Sequence, residues 1–142
     1  MKIKIFLLFL IAFLCNSCTT KIVEETIESY PDGTPRIVRF YKDDGKNRVL
    51  FKETLYYSNR QKYMEGEYKN GKRNGKWTSW YQNGNKWSEG SYIEGVDDGK
   101  RVGYHENGKK YFEGNYKEGK KIGTWKFWDE QGVRQDDQNF NK

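Results

Sequence analysis

The sequence predicts an all-β protein, an elongated single-layer antiparallel meander of repeated β-hairpins. Three observations predict it. Segments beginning at Lys62, Lys86 and Lys110 superimpose without a gap at a period of 24 residues, as KYMEGEYKNGKRNGKWTSWYQNGN, KWSEGSYIEGVDDGKRVGYHENGK and KYFEGNYKEGKKIGTWKFWDEQGV. Twelve of the 15 glycines fall in four columns of that alignment, headed by Gly66, Gly71, Gly75 and Gly84. From residue 18 onward there is no alanine, and two leucines, Leu50 and Leu55, stand against twenty-one aromatic residues. A chain so poor in helix formers and so rich in rings favours sheet.

Residues 1–17 read as a secretory signal peptide outside the fold. Lys2 and Lys4 precede an apolar run from Ile5 to Leu14 that is too short to span a bilayer of about 30 Å. Cleavage after Ser17 discards Cys15 and leaves Cys18 at the new N-terminus. The stretch Leu14-Cys15-Asn16-Ser17-Cys18 resembles a bacterial lipobox, with Cys15 where leucine is usual. That resemblance implies lipidation at Cys18 and a lipid-anchored protein of the bacterial cell envelope, placed at the outer membrane. Ordinary secretion with two structural cysteines is the alternative.

Residues 18–29 are expected to form a lipidated tether. A degenerate repeat follows over 30–61, where Tyr30-Pro31-Asp32-Gly33 echoes Tyr81-Gln82-Asn83-Gly84, and it serves as the cap that a repeat array needs. The three strict repeats occupy 62–133. In the first, a strand runs over 62–69, a turn carries Asn70-Gly71 to Asn74-Gly75, a second strand runs over 76–82, and Asn83-Gly84 turns back. The polar end, 134–142, is expected to fray.

Side-chain alternation puts Met64, Gly66 and Tyr68 on one face of the first strand and Tyr63, Glu65 and Glu67 on the other. Both faces carry aromatics, which suits a ribbon held by aromatic columns between hairpins rather than by a thick core. Equivalent residues of successive repeats then lie roughly 10 Å apart.

The pattern E-G-x-Y-x-x-G-x-x-x-G-x-W-x-x-W/Y-x-x-x-G resembles the bacterial variant of the MORN repeat, found in proteins labelled antitoxin-like. The resemblance covers residues 30–133, with Arg101 replacing the tryptophan of its neighbours Trp77 and Trp125. It implies a curved antiparallel sheet and a protein-binding scaffold, with a link to membrane lipids.

The motifs that suggest chemistry dissolve on inspection. Gly114, Gly119 and Lys120 match GxxxxGK, as do Gly66, Gly71 and Lys72, but Lys121 and Arg73 stand where a phosphate loop needs Ser or Thr, and further turn glycines follow instead of a helix. His105 is a lone surface histidine beside the Asn107-Gly108 turn. With Cys18 acylated, no thiol is left for a metal site, and no cofactor is implied. Glu65, Glu89 and Glu113 stand about 10 Å apart, too far for paired acid–base work. With Lys62, Lys86 and Lys110 they read as cross-strand charge pairing. Of the formal net charge of +6, two units belong to the leader, and the remainder is interleaved with acids, which argues against nucleic acid.

The expected function is therefore non-enzymatic: binding of a protein partner, with an antitoxin or immunity role as a special case. The candidate binding surface comprises Trp77, Trp80, Trp87, Trp125, Phe127 and Trp128, of which Trp87 and Phe127 lie outside the regular columns. The alternative is a glycan stacked in a groove lined by Trp77, Trp80, Trp125 and Trp128. Open sheet edges add edge-paired oligomers as a further expectation.

Overall fold

The computed structural model describes residues 20–140. The expected signal peptide, Cys15 and Cys18 lie outside the described residues. The described residues form one open antiparallel sheet. Its strands are β1 (Lys21–Ser29), β2 (Pro35–Asp43), β3 (Arg48–Tyr56), β4 (Lys62–Lys69), β5 (Lys72–Trp80), β6 (Lys86–Ile93), β7 (Val96–Asp97), β8 (Gly99–Tyr104), β9 (Lys110–Lys117), β10 (Lys120–Phe127) and β11 (Gln138–Asn139). Each pairs with its neighbour in sequence, except that the short β7 turns back on β6, leaving β8 to continue the sheet.

The two ends of the strands use different turns. At one end sit two-residue turns, Asn70-Gly71, Glu94-Gly95 and Glu118-Gly119, in which both residues have positive φ. This geometry matches the right-handed twist of the flanking strands. At the other end five-residue turns repeat one hydrogen-bond pattern. Tyr57 N–H donates to Gln61 O, Tyr81 N–H to Asn85 O and His105 N–H to Lys109 O, and residues 30–34 and 129–133 close in the same way.

These longer turns are also tied to one another. The hydroxyls of Tyr30, Tyr57 and Tyr81 donate to the carbonyls of Tyr56, Trp80 and Tyr104 at 2.8–2.9 Å. Below them the amides of Asn59, Asn83 and Asn107 donate to the carbonyls of Gln82, Glu106 and Glu130. Each turn thus satisfies a carbonyl of the next, which locks the register at the period of the sequence repeat.

Register, read laterally, sorts the faces. One row runs Glu25, Arg39, Glu53, Gly66, Trp77, Gly90 across β1 to β6. Further along, Arg101 pairs with Gly114 and Trp125 with Gln138. The next row, on the opposite face, runs Thr26, Val38, Thr54, Glu65, Thr78, Glu89, Val102, Glu113 and Lys126. The first row contains the aromatic packing, because Gly66 and Gly114 are each the floor for a ring on the adjacent strand, while Gly90 lies under the Arg101 side chain. A Cβ on Gly66 would fall within the Trp77 ring, and one on Gly114 within the Trp125 ring. A single layer thereby buries Trp77 and Trp125 to 4% and 2% exposure. Each ring removes roughly 200 Å² from water, about 5 kcal/mol before entropy is counted.

Three sequence expectations are corrected. Residues 21–29 are strand β1 and not a tether: a run rich in β-branched residues pairs along β2, with Glu25 held by Arg48 and Glu28 by Arg36. Asn74-Gly75 is not part of a turn. The hairpin closes at Asn70-Gly71, β5 starts at Lys72, and Gly75, with φ of 78°, bulges opposite Glu67. Nor do residues 134–140 fray, since Arg134 bridges to Trp128, β11 pairs with β10, and Phe140 packs on Trp125 at 6.1 Å between ring centroids.

Candidate functional site

The six aromatic candidates do not form one surface. Trp77 and Trp125 are buried, each bracketed edge-on by tyrosines, Tyr68 and Tyr92 around Trp77 and Tyr116 beside Trp125. Their indole N–H groups donate to the carbonyls of Glu67 and Asn115, so neither ring has a face or a donor to offer. Trp80 and Trp128 point to the opposite side, under the ammonium groups of Lys62 and Lys110. Phe127 is half-buried against Phe112 and Tyr111. The sugar groove expected from Trp77, Trp80, Trp125 and Trp128 is therefore corrected, because residues three apart in a strand face opposite ways.

Trp87 remains, 45% exposed, and it has company. At the five-residue-turn end, one aromatic pair recurs in every unit: Tyr57 with Tyr63 at 5.1 Å, Tyr81 with Trp87 at 6.2 Å, and His105 with Tyr111 at 4.8 Å. Tyr63 also stacks on Trp87 at 6.5 Å, and Tyr111 is 47% exposed. These pairs form a strip along one long edge of the ribbon. Tyr63 and Tyr111 were missed as binding candidates, although the repeat alignment places both in the Trp87 column.

On the face opposite the buried tryptophans, each repeat glutamate meets at least two lysines, Glu113 having Lys126 at 3.8 Å as a third. Glu65 is 2.9 Å from both Lys52 and Lys62, Glu89 is 2.9 Å from Lys76 and 3.0 Å from Lys86, and Glu113 is 3.4 Å from Lys100 and 2.9 Å from Lys110. The ladder expected from Lys62, Lys86 and Lys110 is thus doubled by a second, cross-strand one.

Residues 73–94 and 97–118 match the model of the MORN repeat variant family. Those two segments are similar to the MORN repeat variant. No curated protein and no solved structure matches it. The matched MORN segments run from β5 through β6 and from β7 through β9, half a hairpin out of phase with units counted from Lys62. In a continuous meander either phase describes the same sheet. MORN repeats generally bind proteins or membranes, and the family is typically a non-enzymatic scaffold.

The ionisable groups of the repeat units serve the sheet. Hydrogen bonding from Lys76, with help from Lys86 and the Tyr104 hydroxyl, holds the Glu89 carboxyl down at about 2. Burial pushes the Tyr104 phenol up to about 12, and its bond to Glu89 adds to this. At Glu65, burial works against the charge, but hydrogen bonds from Lys62, Lys52 and Thr54 outweigh it and leave the carboxyl below its ordinary range. Hydrogen bonding from Lys110 lowers Glu113 in the same direction. His105 takes the place of the turn tyrosines. Its Nε2 lies 2.9 Å from the Trp128 carbonyl and must carry the proton, since a carbonyl only accepts. Among the described residues no group of His, Cys, Asp and Glu is placed to hold a metal ion.

Proposed function

We propose that this protein is a non-enzymatic scaffold of the bacterial envelope, lipid-anchored through Cys18 at the outer membrane, whose MORN ribbon binds a protein partner. The observation that carries the reading is the edge strip in which Trp87 and Tyr111 are exposed and the half-buried Tyr63 stacks on Trp87. Its rings pack on one another at the edge while Trp87 and Tyr111 keep nearly half of their surface open, and exposed aromatics of this kind are typical interface anchors. An antitoxin or immunity role is one form of the same reading.

The test is affinity capture with the lipidated chain, beside a Trp87→Ala/Tyr111→Ala variant. Loss of an identified partner from the variant, with unchanged thermal unfolding, supports the strip; equal capture by both rejects it. For the anchor, Cys18→Ser is expected to move the protein from the membrane to the soluble fraction, since several acyl chains at about 0.8 kcal/mol per buried CH₂ hold it there. Sugar stacking is the competing use of the same strip. Quenching of Trp87 fluorescence by neutral glycans, without a protein partner, would favour it.

A further inference from the structure

Independently of the aromatic strip, we propose that the opposite face of the ribbon is a binding track for a linear acidic polysaccharide bearing sparsely and regularly spaced carboxylates. Three clefts recur there at the repeat period. The first, about 230 Å³, lies between Lys52 and Lys76 over Glu65; the second, about 210 Å³, between Lys76 and Lys100 over Glu89; the third, about 180 Å³, between Lys100 and Lys126 over Glu113. Lys76 and Lys100 are walls shared by adjacent clefts, and both are largely exposed, at 63% and 64%. Two strand spacings separate one cleft from the next, roughly 10 Å.

Charge selects the class of ligand. Glu65 and Glu89 each meet two lysines and Glu113 meets three; the lining of the first cleft is balanced, because Glu67 joins Glu65, and an excess of one cation appears in the second and third clefts, toward β10. Glu67 of the first cleft becomes Ser91 and then Asn115, and Thr78 becomes Val102 and then Lys126. Duplex nucleic acid carries a charge every 1.7 Å or so, far more than this track neutralises. A polymer with one carboxylate per roughly 10 Å matches it. The rest of the lining suits a hydroxyl-rich chain. The glutamates accept hydrogen bonds, while Ser91, Asn115 and Thr124 both donate and accept. On the same face the half-buried Trp80 and Trp128 lie under Lys62 and Lys110, which pair with Glu65 and Glu113, and Tyr104 donates to Glu89, so rings border the glutamate row.

The experiment titrates purified full-length protein with hyaluronan oligosaccharides of graded length, whose carboxylates fall on alternate sugars, and with neutral dextran. Affinity should rise with length until the oligomer spans about 30 Å, three cleft spacings, and then level off. Dextran should not bind. Lys76→Gln/Lys100→Gln should weaken binding at least tenfold, Lys76→Arg/Lys100→Arg should retain it, and Lys21→Gln/Lys46→Gln, with the same loss of charge away from the clefts, should stay within twofold of the parent. The proposal is overturned by no binding at low salt, by equal losses in the two glutamine variants, by affinity that does not depend on length, or by single-stranded DNA or anionic vesicles binding more tightly through the same lysines.

Discussion

Arg101 donates to Asp97 within the middle repeat, and the two residues stand in the columns that hold Trp77 and Arg73 one repeat earlier. There the Arg73 guanidinium lies 4.0 Å from the Trp77 ring centroid, and one repeat later Lys121 lies 4.3 Å from Trp125. The middle unit has moved the cation into the ring's slot over Gly90 and put an acid where the cation was. The exchange is coupled. Arg101 still faces Tyr92 and Tyr116, but its Nε is buried without a hydrogen-bond partner, which costs about 1 kcal/mol or more.

Restoring the consensus should therefore stabilise the ribbon only when both positions change. Asp97→Lys/Arg101→Trp is expected to gain about 1 kcal/mol, while Asp97→Asn alone loses a similar amount by stranding Arg101. Urea unfolding of the full cycle should show a coupling above about 0.5 kcal/mol. Additive single effects would show that the two columns do not communicate.

The glycine floor makes a graded prediction. Gly66→Ala and Gly114→Ala place a methyl inside a buried indole and should cost about 2–3 kcal/mol, because the ring has no room to withdraw. At Gly90 the methyl would meet Arg101 Nε at 2.8 Å. A flexible chain yields where a ring does not, so Gly90→Ala should cost less than about 1 kcal/mol. Chemical denaturation of the three variants measures the order directly.

Acid should weaken the fold through the glutamate row. Glu89 is held at about 2 against an ordinary 4.5, so its contribution is present above pH 4.5 and lost as pH falls toward 2. Glu65 and Glu113 are lowered in the same sense. Because the partner lysines are solvent-exposed, the loss per glutamate is about 1 kcal/mol rather than the full value of the shift. Glu89→Gln should flatten the acid limb of the stability curve and bring the Tyr104 phenol down from about 12, read by ultraviolet absorbance during alkaline titration.

What the sequence shows of this fold is what the period repeats. The boundaries of β4, the turns at Asn70-Gly71 and Asn83-Gly84, and the glutamate and lysine columns are all legible, because the turn glycines and the paired charges recur at the period. β1 and β11 are not, since they close the array once each and carry no glycine column. The bulge at Gly75 was hidden by its own signal: Asn-Gly suits a turn and a left-handed bulge equally. For the site, Trp87 was legible as a candidate ring, but its membership of a column with Tyr63 and Tyr111, present in the alignment, was overlooked. The burial of Trp77 and Trp125 was not, because it depends on glycines a strand away, Gly66 and Gly114, whose role appears only in the cross-strand register.

The C-terminal segment closes the array. Phe140 covers the outer side of Trp125, its N–H donates to Gly123 O at 2.9 Å, and Lys121 lies over both rings. Trp125 is the last tryptophan of its row, and no further repeat follows among the described residues to cover it, so Phe140 acts as the cap that the next hairpin supplies elsewhere. Phe140→Ala should destabilise by about 1–2 kcal/mol, less than a buried aromatic because the ring is only half-buried. Acrylamide should also quench tryptophan emission more strongly in this variant, an effect that Trp125→Phe in the same background removes. Unchanged quenching in Phe140→Ala would mean that Trp125 keeps its cover without the segment.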